Sequence, residues 1–457
     1  LFKKTEAFNW IPHHSTPHTF PHYAGKILLP HEIPPEHIEE LTKTSVLTRV
    51  PSIIKKQCRR CGNQKPHLFG HLPHAKCQQD CLYCRNCIQM GRVIECEPLY
   101  IGSPECFWPA WENALAWAGE LTPSQQQAAD EIADLVKTGS GEKLVWAVCG
   151  AGKTEMLFPG IALGLAEGKR VCLATPRIDV VRELFPRLQR AFPAIEVQAL
   201  HGESEKTGDG QLIIATTHQL LRFAHAFDVI VIDEVDAFPF HNDPSLHFAA
   251  KRAGKPDAAR IYLTATPRNQ EKRRIRSKQL PVVFIPKRFH GHPLPVPKLT
   301  LSFNLSRYLK KNELPAAILN LIKKPRDRQL LIFLSSISLT SGLRGFLASK
   351  GVVTEQVHAG DEDRKEKVER FRNKEIDILL TTTILERGVT FPSVDVFVID
   401  AGHEVFDEAA LVQIAGRAGR SPDDPKGDVI FFHSGKTNAM LDAYDLIRKM
   451  NRLGQKQ

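Results

Sequence analysis

The run Ala147-Val148-Cys149-Gly150-Ala151-Gly152-Lys153-Thr154 sets two glycines, a lysine and a hydroxyl side by side after an apolar stretch. That set suits a polyphosphate. Around Ala151, Gly150 and Gly152 let backbone N–H groups approach phosphate oxygens, and a helix opening behind them adds its positive end. Lys153 is placed to reach the β- and γ-phosphates, and the Thr154 hydroxyl to ligate Mg²⁺. Ala147 stands where the usual pattern has its first glycine. Further on, Val229-Ile230-Val231-Ile232 runs into Asp233-Glu234-Val235-Asp236. Acids at a strand's carboxyl end lie where open α/β sheets bind ligands. Asp233 is expected to hold Mg²⁺, directly or through water, and Glu234 to orient and polarise an attacking water. Near the end of the chain comes Gln413-Ile414-Ala415-Gly416-Arg417-Ala418-Gly419-Arg420. On a helix, Arg417 and Arg420 share a face and can reach γ-phosphate oxygens as arginine fingers. These residues predict ATP hydrolysis with Lys153, Asp233, Glu234, Arg417 and Arg420 as the catalytic set and Mg²⁺ as cofactor.

A second constellation is built from thiols. Of the ten cysteines, eight lie between Cys58 and Cys106. Cys58-x2-Cys61-Gly62 and Cys84-x2-Cys87 form two knuckles at the usual separation for a zinc site. Four thiolates close a tetrahedron, which makes the expected site structural. Cys81-x2-Cys84 is an alternative knuckle, so the register stays open. Cys77, Cys81, Cys96 and Cys106 exceed what one site needs; a second metal is an alternative reading, but it lacks a clean CxxC pair. His67, His71 and His74 fall inside the loop and read as surface histidines. Arg59, Arg60, Arg85 and Arg92 make the module basic, for DNA backbone or for solvent alike.

The elements that must hold these groups follow from periodicity. Residues 1–50 are rich in His and Pro (His13, His14, Pro17 and His18 among them) and read as an arm with little core. Residues 51–110 are the zinc module. Then strands and helices alternate: helix at 121–136, strand at 144–148, strand at 171–174, helix at 180–192, and strands at 213–216, 229–233 and 261–264. Such alternation builds a parallel sheet covered on both faces. The pattern breaks at 268–300, with a basic run from Lys272 to Lys278 and a Pro/His-rich stretch, and reads as a linker. A second alternating region has strands near 330–334, 376–381, 394–400 and 428–432, and helices near 338–349, 363–373 and 408–416. The predicted fold class is α/β: two tandem parallel-sheet domains of the RecA kind (111–285 and 306–457, linker 286–305) behind the zinc module.

Composition narrows the classes. In 457 residues, 42% hydrophobic and 25% charged is ordinary for a globular chain, which argues against disorder and a disulfide miniprotein. No apolar run approaches the ~20 residues that span a bilayer. Clustered CxxC thiols and no secretory signal pattern predict a reducing, cytoplasmic setting. The net charge of +10 makes a polyanionic partner worth testing.

In this order the motifs resemble a superfamily 2 helicase. Leu121-Thr122-Pro123-Ser124-Gln125 resembles the adenine-reading glutamine motif. Ala174-Thr175-Pro176-Arg177 and Thr216-Thr217-His218-Gln219-Leu220 resemble strand-contacting motifs. Thr264-Ala265-Thr266 resembles the motif coupling hydrolysis to strand movement. Thr381-Thr382-Thr383-Ile384-Leu385-Glu386-Arg387-Gly388-Val389-Thr390 resembles motif V, and 413–420 motif VI. The runs 146–160, 233–239 and 381–390, with the CxxCG…YCRxCxxMGRV module, are similar to the ComFA family of competence ATPases of naturally transformable Gram-positive bacteria. That resemblance implies a DNA-stimulated ATPase that helps pull single-stranded DNA through a membrane uptake channel. It implies a place at the inner face of the membrane, with partners among other competence proteins such as ComFC, and it allows a homo-oligomer. It adds Gln125 and Gly388 to the nucleotide set and Arg177, Thr217, His218, Thr382, Thr383 and Arg387 as strand contacts. The competing readings are a duplex-unwinding replication-restart helicase, an RNA helicase of the DEAD-box kind and a non-catalytic zinc scaffold. Strand displacement would mark the first and strict RNA preference the second; intact Lys153, Glu234 and Arg420 oppose the third.

Overall fold

The helix that opens the first lobe carries its own start and stop. Thr122 Oγ1 accepts from Gln125 N–H (3.4 Å), Gln125 Oε1 accepts from Thr122 N–H (2.8 Å), and Pro123 occupies the first turn. Gly139, at φ +78°, ends the helix in the left-handed region. The structure, a computed structural model, describes residues 21–204 and 208–456.

An N-terminal module comes first. It contains β1 (Ile27–Leu28), α1 (Pro35–Lys43), β2 (Leu47–Pro51), β3 (Ile53–Ile54), β4 (Gln57–Cys58), β5 (Phe69–His74), β6 (Gln79–Cys84), β7 (Val93–Ile94) and β8 (Pro98–Gly102). Strands β1 and β2 both pair antiparallel with β8, and β5, β6 and β7 form an antiparallel sheet. The expected arm is therefore folded where it is described. Ile33, Leu41, Val46 and Leu47 pack with Tyr100 into a small core, because β8 supplies a partner that lies far off in sequence. His13, His14, Pro17 and His18 lie outside the described residues.

The first lobe holds α2 (Pro123–Thr138), β9 (Gly141–Ala147), α3 (Phe158–Ala166), β10 (Val171–Thr175), α4 (Ile178–Ala191), β11 (Val197–Leu200), β12 (Leu212–Thr216), β13 (Phe227–Ile232), α5 (Pro244–Ala253), β14 (Gly254–Thr264), α6 (Asn269–Arg276) and β15 (Val282–Ile285). Its seven-stranded sheet runs β11-β12-β10-β13-β14-β9-β15, parallel throughout. The basic run read as linker is instead helix α6, and β15 closes the sheet edge beside β9. Arg274 pairs with Glu142 and Lys272 with Glu408, which anchors part of that charge.

The second lobe holds β16 (Lys298–Leu301), α7 (Leu305–Lys310), α8 (Ala316–Lys323), β17 (Gln329–Phe333), α9 (Ile337–Ser349), β18 (Glu355–Val357), α10 (Arg364–Arg372), β19 (Ile378–Thr381), β20 (Val394–Ile399), α11 (Glu408–Ala415), β21 (Val429–His433) and α12 (Asn438–Lys456). Its six-stranded sheet, β16-β21-β20-β17-β19-β18, is also parallel. Both sheets are of the RecA-like kind. Among the described residues no helix is long and apolar enough to cross a membrane.

The module is not a free appendage. Cys58, Cys61, Cys84 and Cys87 share one apolar core with Phe223, Leu246, Ala249 and Ala253 of the first lobe. Arg252, on α5, is buried and donates to four carbonyls: Arg59 (3.0 Å), Arg60, Leu221 (3.0 Å) and Phe223 (3.0 Å). Arg252→Ala strands those acceptors, at a cost on the order of 3 kcal/mol. A fall of roughly 5–10 °C in the first thermal unfolding midpoint is expected, read by calorimetry.

Candidate active site

The register of the first sheet brings the acting residues to one edge. Thr264 of β14 pairs with Trp146 of β9, and Ile232 of β13 with Tyr262 of β14. The loop after β9, the acids after β13 and the threonines after β14 therefore leave the sheet side by side. Gly150 and Gly152 take φ +80° and +69°, values that favour glycine. The helix behind them opens as a 3-10 turn (Glu155–Leu157), and α3 proper begins at Phe158. Pro159 has no N–H for an i−4 bond, so it belongs in the first turn.

A cleft of about 530 Å³ lies between the lobes. Gln125, Gly150, Ala151, Gly152, Lys153, Thr154, Asp233 and Glu234 line it from the first lobe, and Gly388, Arg417 and Arg420 from the second. Lys153 Nζ stands 3.8 Å from Asp233 Oδ1. Burial works against the Lys153 ammonium, yet Asp233 and Glu234 outweigh it and hold its pKa above the ordinary lysine value. Burial raises the Asp233 carboxyl, opposed by Lys153. Glu234 sits at φ +53°, a strained setting for a non-glycine residue, pinned by Val235 N–H on Leu263 O (3.2 Å) and Ala237 N–H on its own carbonyl (2.8 Å).

The two arginines reach the cleft by a different route from the one expected. Helix α11 ends at Ala415, and Gly416 to Gly419 form a turn, so Arg417 and Arg420 share no helical face. Two glycines in the run are the reason. Gly416 lets this turn close on the phosphate loop, since a Cβ there would stand 2.5 Å from Cys149 Cβ. Cys149 Sγ bonds Gln413 Oε1 across the same contact (3.0 Å). Arg417 donates from Nε to Glu386 O (3.0 Å), while its buried Nη1 has no hydrogen-bond partner. Burial first, and Arg420 second, pull that guanidinium well down. A buried cation beside another cation is a seat for an anion.

Three sequence expectations meet other partners. Gln125 Nε2 donates to Ala151 O (2.8 Å) and Gly152 O (3.3 Å), and its Oε1 accepts from Thr122, so the amide props the phosphate loop while it lines the cleft. Arg387 was expected on a nucleic-acid strand. It is 2% exposed and paired with Asp236, with Glu234 Oε2 at 3.7 Å. Arg177 was expected there too, and its Nη2 donates to Ile384 O (2.6 Å) in the second lobe. Thr217 is fully buried, whereas His218, Thr382 and Thr383 keep part of their surface. Burial lowers the His218 pKa.

Asp236 escaped the sequence reading as more than a neighbour of Glu234. It is fully buried and accepts from Thr264 Oγ1 (2.7 Å), Thr266 Oγ1 and Arg387. Burial would raise its carboxyl, but Arg387 and the two hydroxyls hold it well below the carboxylate range. Arg288 was missed as well. Buried in the expected linker, it donates to Ala418 O (2.9 Å) and Gly419 O, and it also stands beside Gly150.

The module's four thiols form the second cluster. Cys58, Cys61, Cys84 and Cys87 are buried with all sulfurs within 4.8 Å of one another, at 3.8 Å for Cys58–Cys87 and 3.6 Å for Cys61–Cys84. Those edges suit a tetrahedron with Zn–S near ~2.3 Å, whose edges are about 3.7 Å. N–H donors face the sulfurs: Arg60 on Cys87 (3.3 Å), Asn86 on Cys61 (3.6 Å) and Asn63 on Cys84 (3.9 Å). Donors of this kind stabilise thiolates. Cys81 stands outside the cluster, 3.3 Å from Cys77. Arg60, buried on the carbonyls of Cys87, Met90 and Gly91, offers nothing to DNA, whereas Arg85 and Arg92 stack on Tyr83 at the surface.

Two parallel-sheet lobes closing on one phosphate loop define a DNA-dependent ATPase of the superfamily 2 helicase class. Family models agree: "Type III restriction enzyme, res subunit" matches residues 118–269 and "Helicase conserved C-terminal domain" matches 313–422. Among solved structures, Mycobacterium smegmatis helicase Lhr bound to ssDNA and AMP-PNP superposes with TM-score 0.53 at 19% identity, over 74% of this chain and 49% of that one. Saccharomyces cerevisiae Dbp5 bound to RNA and ADP BeF3 superposes with TM-score 0.52 at 17% identity, over 72% and 91%. The "Competence protein ComFA N-terminal domain" model matches residues 14–101. Competence protein ComFA of Bacillus subtilis is 44% identical over 92% of each chain, and that of Streptococcus pneumoniae 40% identical over 94% of this chain and 98% of that one. The chain belongs to the ComFA family.

Two outcomes test the site. Asp236→Ala removes the carboxylate nearest to buried Arg387 and leaves it only the longer contacts to Glu234 and Glu386, at a cost of roughly 3 kcal/mol; the double change Asp236→Leu/Arg387→Met should recover the melting temperature but not hydrolysis. Gln125→Ala should lower kcat with ATP and GTP alike, leaving the ratio of the two unchanged in steady-state assays. A selective loss with ATP would return the amide to base reading.

Proposed function

We propose that this protein is an ATP-driven translocase for single-stranded DNA that serves DNA uptake during natural transformation, working from the cytoplasmic face of the membrane. The observation that carries the motor reading is the shared cleft, in which the phosphate loop of one lobe meets Arg417 and Arg420 of the other. The transport role rests on the family, whose named members are competence proteins. Single-stranded DNA in the Lhr complex supports the choice of strand, although the Dbp5 complex holds RNA.

In this reading Lys153 neutralises β/γ-phosphate charge, and Glu234 orients the attacking water. Thr154 and Asp233 would hold Mg²⁺, which would supply further neutralisation of phosphate charge. Arg417 and Arg420 bind the γ-phosphate, so the cleft closes most tightly around the triphosphate. His218, Thr382 and Thr383 grip strand phosphates. Asp236 and Arg387 carry the change at Glu234 into motif V. The four-thiol cluster holds Zn²⁺ and stiffens the module; the membrane uptake channel and other competence proteins such as ComFC are the partners, with a homo-oligomer as the acting assembly.

Steady-state hydrolysis measured at fixed salt with no nucleic acid, single-stranded DNA, duplex DNA and RNA tests this reading. Single-stranded DNA should stimulate most, and less as salt rises, because the grip is through phosphates. Lys153→Ala and Glu234→Gln should each lower the stimulated rate by roughly 100-fold or more without changing the circular dichroism. Preferential stimulation by RNA would overturn the assignment.

A further inference from the structure

The tip of the β5–β6 hairpin carries a second group of metal-type ligands that the four-thiol site leaves unused. His74 Nδ1, Cys77 Sγ and Cys96 Sγ lie within 4.8 Å of one another. His74 Nδ1 stands 3.2 Å from Cys96 Sγ and 3.7 Å from Cys77 Sγ. Cys81 Sγ stands 3.3 Å from Cys77 Sγ. Sequence spacing hid the group, since its members form no CxxC pair. The hairpin register and the return of the chain after β7 bring them together: His74 pairs with Gln79 across the ladder, Cys81 follows on β6, and Cys96 lies just beyond β7.

We propose that His74, Cys77, Cys81 and Cys96 form a second structural zinc site, separate from the site of Cys58, Cys61, Cys84 and Cys87. One imidazole and three thiolates are a recognised closed Zn²⁺ set. With Zn–S near ~2.3 Å and Zn–N near ~2.1 Å, the tetrahedron's edges come to about 3.5–3.8 Å. Three of the six edges, His74–Cys77, His74–Cys96 and Cys77–Cys81, measure 3.2–3.7 Å, close to that range. Cys81 lies outside the trio whose atoms are all within 4.8 Å of one another, and its thiol turns in to complete the set on binding. The soft thiolate majority favours Zn²⁺ over hard cations such as Mg²⁺. The histidine is oriented as such a ligand is: its Nε2 faces Glu97 Oε1 at 3.8 Å, which leaves Nδ1 toward the sulfurs. Lys76 Nζ in turn sits 3.2 Å from the same Glu97 oxygen. The graded burial fits a staple at a hairpin tip, with Cys81 buried, His74 and Cys77 half-buried and Cys96 exposed. Binding displaces three thiol protons and ties the hairpin turn to the strand returning behind it.

Metal analysis of the full-length chain, purified under reducing conditions in the presence of Zn²⁺ and then dialysed, should give two zinc ions per chain. Cys96→Ser should give one, and so should His74→Ala, with ATP hydrolysis and the melting of the lobes retained. Cobalt substitution provides a second readout: Cys96→Ser should remove from the thiolate-to-Co²⁺ charge-transfer band the share of three sulfurs and leave that of the four-thiol site. One zinc per chain in both the wild type and Cys96→Ser would overturn the proposal. So would a thiol titration of the denatured, metal-stripped chain that finds two fewer than its ten cysteines, which would make Cys77 and Cys81 a disulfide.

Discussion

The ion pair between Asp236 and Arg387 is the joint on which the two-lobe arrangement rests. Both side chains are withdrawn from water, at 0% and 2% exposure. Desolvation opposes such a pair, and it holds only where the remaining bonds are made. Here Thr264 and Thr266 saturate the carboxylate, and Glu234 and Glu386 stand within 3.7 Å and 3.5 Å of the guanidinium. The other cross-lobe pairs are of a different class. Arg268 with Asp407, Lys272 with Glu408 and Arg364 with Asp179 are partly solvated, and pairs of that kind contribute about 0–1 kcal/mol each. The peripheral pairs can exchange for water at little cost, whereas the central one cannot. Relative motion of the lobes therefore has to pivot about, or break, the one contact that also adjoins Glu234.

The same logic explains the position of the N-terminal module. Its knuckles are too small to bury a core of their own, and four thiolates in apolar surroundings need compensating donors. The first need is met by packing against α5, with Arg252 bonding carbonyls on each side of the seam, and the second by Arg60, Asn63 and Asn86 of the module itself. Module and first lobe thus share one core, which fixes a surface on the module, such as Arg85 and Arg92, relative to the phosphate loop.

How much of this was legible in the sequence depended on range. Lys153, Thr154, Asp233 and Glu234 stood out because a strand, a glycine turn and an acid pair are local patterns, and the α/β class followed from the alternation. Local reasoning also carried its own correction for Arg417 and Arg420: Gly416 and Gly419 both disfavour a continuing helix. The partner of Arg387 was not legible, since nothing in 381–390 tells which basic side chain a buried carboxylate on the other lobe will claim. The fate of Gln125 was hidden for the same reason, as its amide is satisfied by loop carbonyls that reach it only after the fold closes. The N-terminal stretch was misjudged because its strands pair with β8, far along the chain, and the run at 269–276 because its charge masked a helix whose salt bridges lie on other elements.

The electrostatics of the cleft make its closure conditional. Lys153 is balanced by Asp233 and Glu234 within the first lobe. Arg417 and Arg420 come from the second lobe, and among the described residues no carboxylate is hydrogen-bonded to either; their acceptors are the Glu386 and Gly416 carbonyls and the Thr390 hydroxyl. Holding the buried Arg417 guanidinium beside that of partly exposed Arg420 is unfavourable unless an anion arrives with them. A ligand shifts a conformational equilibrium only by its differential affinity for the two states. An anionic phosphate in a cleft lined by both lobes is a group that could meet that condition, since Arg417 and Arg420 line it opposite Lys153. Under the proposed function, hydrolysis would act on the second lobe by removing that charge, and the pair of Asp236 with Arg387, which adjoins Glu234, lies between the two lobes.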